Sequence, residues 1–345
     1  MTFTDLSDLQ QQTIQTIAIE RVGMPYTASP VGGGRNSRIY CLSGEKHSTY
    51  AIKVYFRQPG DLRDRLGTEF HSLQFLWENG IHDIPRPFAI YPESGIGLYE
   101  FIEGNRILPD EVSANDIDAA VDFAGRLKRL TALPQATSLK PASEAFFSVA
   151  KVYQNVQNRL IRLLEGQREE PDPRLAEFLQ NDLIPTLERV SQWSRARIDW
   201  EHESPVDQRT LSPSDFGFHN AIRQDRVVFL DFEYFGWDDP AKLISDFILH
   251  PAMNLNGGLT RRFVTGGAGH FDMVLRTRVE SMYPLFGLKW GLICLNEFLP
   301  EHRRRRQFAA ANVQDWDQIK AQQLSKARQI IQRINREYEQ FPYFD

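Results

Sequence analysis

Asp215, Asn220 and Asp231 fall within one short stretch, SDFGFHNAIRQDRVVFLDFEYFGWDD (214–239), as a carboxylate, an amide oxygen and a second carboxylate. Oxygen donors of this kind suit a hard cation such as Mg²⁺, which takes one or two side chains and leaves its other positions to water and phosphate. Phosphoryl transfer asks for little covalent help from a protein. It needs an aligned hydroxyl, a carboxylate beside it, and cations against the phosphate oxygens. In those terms Asp215 fits the base, and Asn220 and Asp231 fit the metal. The same residues also fit a plainer role, because Ser-Asp-Phe-Gly is a good turn and Asp often ends a strand. The stretch alone leaves both readings open.

A second set of residues lies far upstream. Gly32, Gly33 and Gly34 precede a strand-like run, and glycines let backbone N–H groups approach phosphate oxygens closely. The next run, TYAIKVYF (49–56), places Lys53 among apolar residues, where an ammonium needs an anionic partner or a path to water. Strand alternation puts Lys53 on the face of Ala51 and Tyr55, opposite Ile52 and Val54. Glu69 follows on a helical pattern between Leu66, Phe70 and Leu73, placed to pair with that amine and hold it against nucleotide phosphates. The alternative is a solvated Glu69 and an edge-strand lysine.

The elements that must position these groups divide in character. Helical spacing predicts helices over 4–20 and 61–79, and β-rich runs cover 38–43, 49–56, 86–92 and 95–103. Beyond Gly104 helices dominate, over 113–131, 143–166, 174–194, 273–299 and 314–340, with short β signals near 209–211 and 227–232. The expectation is an α+β chain with a small β-rich N-terminal lobe (1–103) and a larger helical lobe (104–345). At 345 residues, 41% hydrophobic and 25% charged, the chain can bury substantial cores. A net charge of −5 argues against nucleic-acid binding. No run predicts a membrane span, and YPLFGLKWGLICLNEFL reads as a buried helix interrupted by Lys289 and Asn296. Cys41 and Cys294, far apart and without CxxC spacing, read as reduced thiols in a cytoplasmic protein.

Glycine turn, AIK, helix Glu, LYEFIEG (98–104), Asp-x₄-Asn and LDFEYFGWDDP occur in the order found in the aminoglycoside phosphotransferase and choline kinase superfamily. The chain resembles that superfamily from about Gly32 to His250, most specifically in its LDFE motif. The resemblance implies a bilobal protein-kinase-like fold that binds ATP and Mg²⁺ between lobes and phosphorylates a hydroxyl of a small molecule. It further implies that Lys53 binds the α- and β-phosphates, Glu69 pairs with Lys53, Asp215 is the base, and Asn220 and Asp231 ligate Mg²⁺. Backbone groups of Glu100 and Ile102 would meet the adenine edge.

Three departures stand out against that family. Its catalytic loop usually opens His-Gly-Asp, whereas this one reads Pro213-Ser214-Asp215. Its following helix carries an Asp where Leu243 stands, leaving Asp246 three residues later to brace the loop. Glu233 takes the place of a protein kinase's Asp-Phe-Gly glycine and offers another carboxylate to metal or acceptor. His219 reads as a packing or hydrogen-bonding residue before a substrate contact, and the run Arg303–Arg306 as mostly solvated. Trp237, Trp290, Asn296 and Glu297 are candidate acceptor-pocket linings, with Trp290 and Glu297 on one helical face, although such stripes are more often core. A nucleotide-binding scaffold without turnover, or transfer of the nucleotidyl group, stay as rival readings.

Overall fold

The computed structural model describes residues 6–33, 37–45, 48–57, 63–271, 274–300 and 315–344. Contacts divide the chain into two compact units, Met1–Ile107 with Asn220–Phe235, and Leu108–His219 with Gly236–Asp345. The stretch carrying Asn220 and Asp231 therefore belongs to the first unit, and Asp215 to the second.

In the first unit a helix, Asp8–Arg21 (α1), precedes strands Tyr26–Gly33 (β1), Ser37–Gly44 (β2) and Tyr50–Tyr55 (β3). Helix Arg65–Glu78 (α2) and strands Pro87–Tyr91 (β4) and Ile96–Glu100 (β5) follow. The five strands pair antiparallel in the order β1-β2-β3-β5-β4. Serine 7 caps α1 through a capping box with Gln10, satisfying N–H groups the first turn leaves open. Ile14, Ile17 and Ala18 of α1 pack on Leu42, Ile52, Val54, Ile96 and Leu98, so one sheet face becomes apolar core. β1 carries Pro30 and two glycines, an unpromising strand by propensity, and survives as an edge strand with a register shift between Pro30 and Gly33. A short strand Asn105–Arg106 (β6) completes a small three-stranded sheet whose other members come more than a hundred residues later.

The second unit is mainly helical: Ala114–Leu130 (α3), Val149–Glu169 (α4), Pro173–Phe178 (α5) and Ile184–Arg195 (α6) come first. A π-helical turn, Leu179–Leu183, joins α5 to α6, so the single helix expected over 174–194 carries an insertion in its ladder. Strand Thr210–Ser212 (β7) precedes the loop bearing Asp215. The chain then supplies the first unit with Ala221–Arg223 (β8) and Val227–Phe229 (β9), ordered β6-β8-β9. It returns as Gly236–Asp238 (β10), which pairs antiparallel with β7.

Helices Pro240–Leu249 (α7), Gly257–Ala268 (α8), Val274–Cys294 (α9) and Trp316–Glu337 (α10) close the second unit. α9 packs against α4, α6, α7 and α10 and is buried along most of its length, as its apolar run implies. No helix among the described residues is long and apolar enough to cross a membrane. α8 has no counterpart in the sequence-based expectation. Glycines 257, 258, 266 and 267 lower its helix propensity, and it forms because Asn256 caps it and Phe263 and Val264 are buried.

Candidate active site

Lys53 sits in the middle of the five-stranded sheet, paired in register with Ile39 on one side and Gly97 on the other. Ile52 and Val54 point into the apolar core, so Lys53 and Tyr55 emerge on the opposite face. There Lys53 Nζ lies 2.6 Å from Glu69 Oε2 and 2.8 Å from Asp231 Oδ1, with Glu233 Oε2 at 3.9 Å. Tyr55 donates to the same Glu69 oxygen at 2.6 Å, and Tyr99 OH in turn lies 2.9 Å from Tyr55 OH. Gly97 makes room for this arrangement, since a Cβ there would meet the Tyr99 ring at 2.5 Å. Burial opposes the charge on Lys53, but Asp231, Glu69 and Glu233 outweigh it and hold the ammonium well above its ordinary pKa. The lysine therefore remains a cation in a buried position.

Asp231 is held where it is by its neighbours. Phe229 N–H donates to Asp83 O, Leu230 N–H to Asn220 O at 2.8 Å, and Phe232 N–H to Glu69 Oε1. Asp231 itself takes a left-handed backbone (φ 66°), a conformation Asp tolerates better than most residues and one that holds strain. Oxygens of Glu69, Asp231 and Glu233 all lie within 4.8 Å of one another. Glu69 and Glu233 are buried, whereas the Asp231 side chain keeps 36% of its surface open, so Asp231 is the carboxylate a hydrated cation can reach. The Leu230–Asn220 hydrogen bond ties the backbone of the amide-bearing residue to the position next to it.

In the second unit, Asp215 follows Ser214, another left-handed residue (φ 68°). Ser214 N–H donates to Ser212 Oγ, and its hydroxyl donates to Ser143 O and accepts from Lys242 Nζ at 3.1 Å. Lys242 also reaches Asp238 at 2.9 Å and Asp246 at 3.1 Å, so its three N–H groups have three acceptors at 1% exposure. Asp246 further accepts from Lys289 (3.0 Å) and from Trp290 Nε1 (2.7 Å).

On its other side Asp215 Oδ1 lies 3.1 Å from His219 Nε2 and 3.6 Å from His250 Nε2. Burial works against the Asp215 carboxylate, but the His219 hydrogen bond, His250 and Lys242 outweigh it, so it titrates well below the usual range. The carboxylate therefore stays ionised at neutral pH. Two imidazoles and a carboxylate also raise the question of a metal, since their ligand atoms lie within 4.8 Å of one another. The rings, however, are parallel to within 2°, so their lone pairs do not converge, and Ala252 N–H donates to His250 Nδ1. A metal on His250 Nε2 would require a hydrogen on that same Nδ1.

Residues 27–247 match the sequence profile of the phosphotransferase enzyme family. The chain belongs to that family. A search of curated proteins finds no significant match. Among solved structures, a spectinomycin phosphotransferase in complex with ADP and spectinomycin aligns with TM-score 0.64 and 15% identity, covering 96% of this chain and 98% of that one. A choline/ethanolamine kinase family protein from Mesorhizobium loti aligns with TM-score 0.61 and 14% identity, over 93% and 95%. An ADP-bound aminoglycoside phosphotransferase gives 0.59 and 17%, over 95% and 97%. These likenesses establish the protein-kinase-like α+β fold of this phosphotransferase.

The structure brings Lys53, Glu69 and Asp231 together, and makes Lys53 a central-strand residue rather than an edge charge. Gly32 and Gly33 belong to β1 itself, and Gly34 lies outside the described residues, as do Arg303–Arg306. Glu100 ends β5, paired with Tyr50, and its N–H donates to Arg86 O; Ile102 lies just past the strand. Leu243 is core, and Asp246 is linked to the loop through Lys242, which bonds the Ser214 hydroxyl; no spacing rule in the sequence singled out Lys242. Glu233 faces Lys53 and Arg65 (3.7 Å) from a buried position, so it serves the protein's own cations. Trp290 and Glu297 do not share a helical face, because α9 ends at Cys294 and Glu297 stands in a 3₁₀ turn. Trp237 Nε1 donates to Ala136 O and Trp237 lies in β10, a structural placement. A cavity of about 180 Å³ in the second unit, lined by Lys128, Ser204, Phe271 and Arg278 among others, includes none of the proposed catalytic residues.

Burial, then His219, pull the pKa of His250 down to about 4 against the pull of Asp215 and Asp246. Between the unfolded value of about 6.5 and pH 4 the unfolded chain binds this proton and the folded one does not. The contribution is complete above pH 6.5 and is lost as pH falls through that window, up to about 3 kcal/mol. Urea midpoints of the wild type should therefore fall between pH 6.5 and 4 more steeply than those of His250→Phe. Parallel slopes for the two proteins would contradict the assignment.

Proposed function

We propose that the protein moves the γ-phosphoryl group of ATP, with Mg²⁺, to a hydroxyl of a small molecule such as a sugar, an amino alcohol or a related metabolite. The observation that carries this reading is the Lys53 ammonium fixed between Glu69 and Asp231 at 2.6 and 2.8 Å. A buried cation with one partly open carboxylate beside it suits a nucleotide's phosphates and their counter-ion. Lys53 grips the α- and β-phosphates, and Glu69 keeps its amine in place. Asn220 and Asp231 offer the hard oxygen donors Mg²⁺ prefers, and the metal neutralises phosphate charge when bound. Asp215 orients the acceptor hydroxyl and takes its proton as the acceptor oxygen bonds to the γ-phosphorus. The bond from that phosphorus to the β-bridging oxygen breaks, and ADP leaves. The glycines of β1 and the backbone at Glu100 and Ile102 are assigned to phosphates and adenine.

Similar structures named for choline/ethanolamine, spectinomycin and aminoglycosides, the last two solved with ADP, support a nucleotide donor and a small acceptor. Both cysteines are free thiols, in keeping with a cytoplasmic location. The test is thermal unfolding with ATP, with and without Mg²⁺, in wild type and Lys53→Met. Saturation at about 100 times Kd should stabilise the wild type by about 2.7 kcal/mol, more strongly with Mg²⁺, and leave Lys53→Met unmoved. No metal-dependent stabilisation would favour a scaffold instead. A panel of hydroxylated metabolites scored for ADP release then finds the acceptor, and product mass separates phosphoryl from nucleotidyl transfer.

A further inference from the structure

We propose that His219 and His250 form a stacked pair that fixes the orientation of the Asp215 carboxylate, with His219 as the contact and His250 as its backstop. The proposal rests on the reading of Asp215 as the base and assigns positioning roles to two residues which that reading leaves unused.

A carboxylate can only accept hydrogen bonds, so His219 Nε2, 3.1 Å from Asp215 Oδ1, must carry the hydrogen. His250 lies flat against His219, ring centroids 3.8 Å apart and planes within 2°. Its own Nε2 is 3.6 Å from the same oxygen, too far for a hydrogen bond, so its main hold on the site is through the His219 ring. Three contacts lock His250. It follows the last residue of α7 and its N–H bonds Asp246 O; Ala252 N–H donates to its Nδ1 at 3.2 Å; and its ring and that of Trp290 pack nearly perpendicular with centroids 4.5 Å apart. Trp290 is in turn pinned through Nε1 to Asp246. A continuous line of contacts therefore runs from α9 and α7 through His250 and His219 to the base.

The loop is shaped for this stack. A Cβ on Gly217 would stand 2.8 Å from His219 Nδ1 and 2.8 Å from Met253 Sδ, so only glycine lets the imidazole fold back there. Met253 Sδ accepts from Phe218 N–H, which holds the turn between base and histidine. Among the described residues His219 Nδ1 is buried with no hydrogen-bond partner, and the stack on His250 holds the ring in place of such a bond.

Two series of variants test the pair, with ADP release from Mg·ATP, water serving as acceptor, as the readout. His219→Leu should lower kcat about 10- to 100-fold, the range a misplaced catalytic group produces, with KM for ATP within about twofold. His219→Gln, which keeps an N–H donor near the Nε2 position, should recover most of the loss. His250→Phe should behave nearly as wild type because it keeps a flat ring against His219, whereas His250→Ala should lose about tenfold. Equal turnover in His219→Leu and wild type would overturn the proposal, as would His219→Gln no better than His219→Leu. Equal turnover in Asp215→Asn and wild type would instead strike the reading of the base. An arm free of turnover is the ¹⁵N spectrum of histidine-labelled protein at pH 7. His219 Nε2 should resonate as a hydrogen-bearing nitrogen and move in Asp215→Asn, and an unmoved resonance refutes the pair.

Discussion

Asp215→Asn is expected to lower phosphotransfer by about 10²- to 10⁴-fold, the range associated with a positioned proton acceptor, while leaving ATP binding intact. The substitution keeps volume and shape and removes only the charge. His219, a donor at 3.1 Å, would face the amide's oxygen or its NH₂ group, so the loop should keep its course. Because the carboxylate titrates well below the usual range, wild-type activity should not fall from protonation of Asp215 until strongly acidic pH. Lys53, Glu69 and Asp231 belong to the other compact unit and are untouched by the change. ATP-dependent thermal stabilisation should therefore match the wild type while turnover collapses. Turnover at the parent rate would remove Asp215 from the chemistry.

Lys242→Met should cost about 3–5 kcal/mol of stability, the usual penalty for removing one partner of a buried ion pair. Lys242 is 1% exposed and holds Asp238 and Asp246 from one turn on either side, together with the Ser214 hydroxyl. Burial opposes its charge, but the two carboxylates outweigh it and keep the amine above its ordinary range. Asp238, fully buried, is already pushed up to about 6 by burial despite Lys242. Without the ammonium it can remain in place only by taking up a proton, so the penalty should shrink as pH is lowered below neutrality. Urea unfolding at pH 8 and pH 5.5 measures both effects. A loss under about 1 kcal/mol at pH 8 would mean that the methionine packs well enough to offset an Asp238 without its cation, Asp246 keeping Lys289 and Trp290. Loss of the bond to Ser214 should also slacken the loop that carries Asp215.

Part of the side-chain pairing was legible because residue types constrain it strongly. A lysine in an apolar alternating run needs an anion, and the helix that follows offered Glu69 at a buried position; the structure pairs them at 2.6 Å. Long periodic segments such as α3, α4 and α10 were visible for the same reason, since a 3.6-residue apolar repeat has few other uses. Segments whose local propensity is poor were not. β1, with its proline and glycines, and α8, with four glycines, are held by partners distant in sequence. Asp246, expected to brace the loop that carries Asp215, is linked to it through Lys242.

The sequence by itself determined the inventory: which oxygens, amines and imidazoles exist, their order, and the strand and helix faces on which Lys53 and Glu69 stand. Periodicity carries that information because it depends only on neighbours a few residues apart. Tertiary structure decided that Asp231 meets Lys53 across 178 residues, that Glu233 turns inward, and that His250 lies flat on His219. Those contacts depend on packing of distant segments, where a rotation of one helix or a shift of one turn exchanges partners without altering any local pattern.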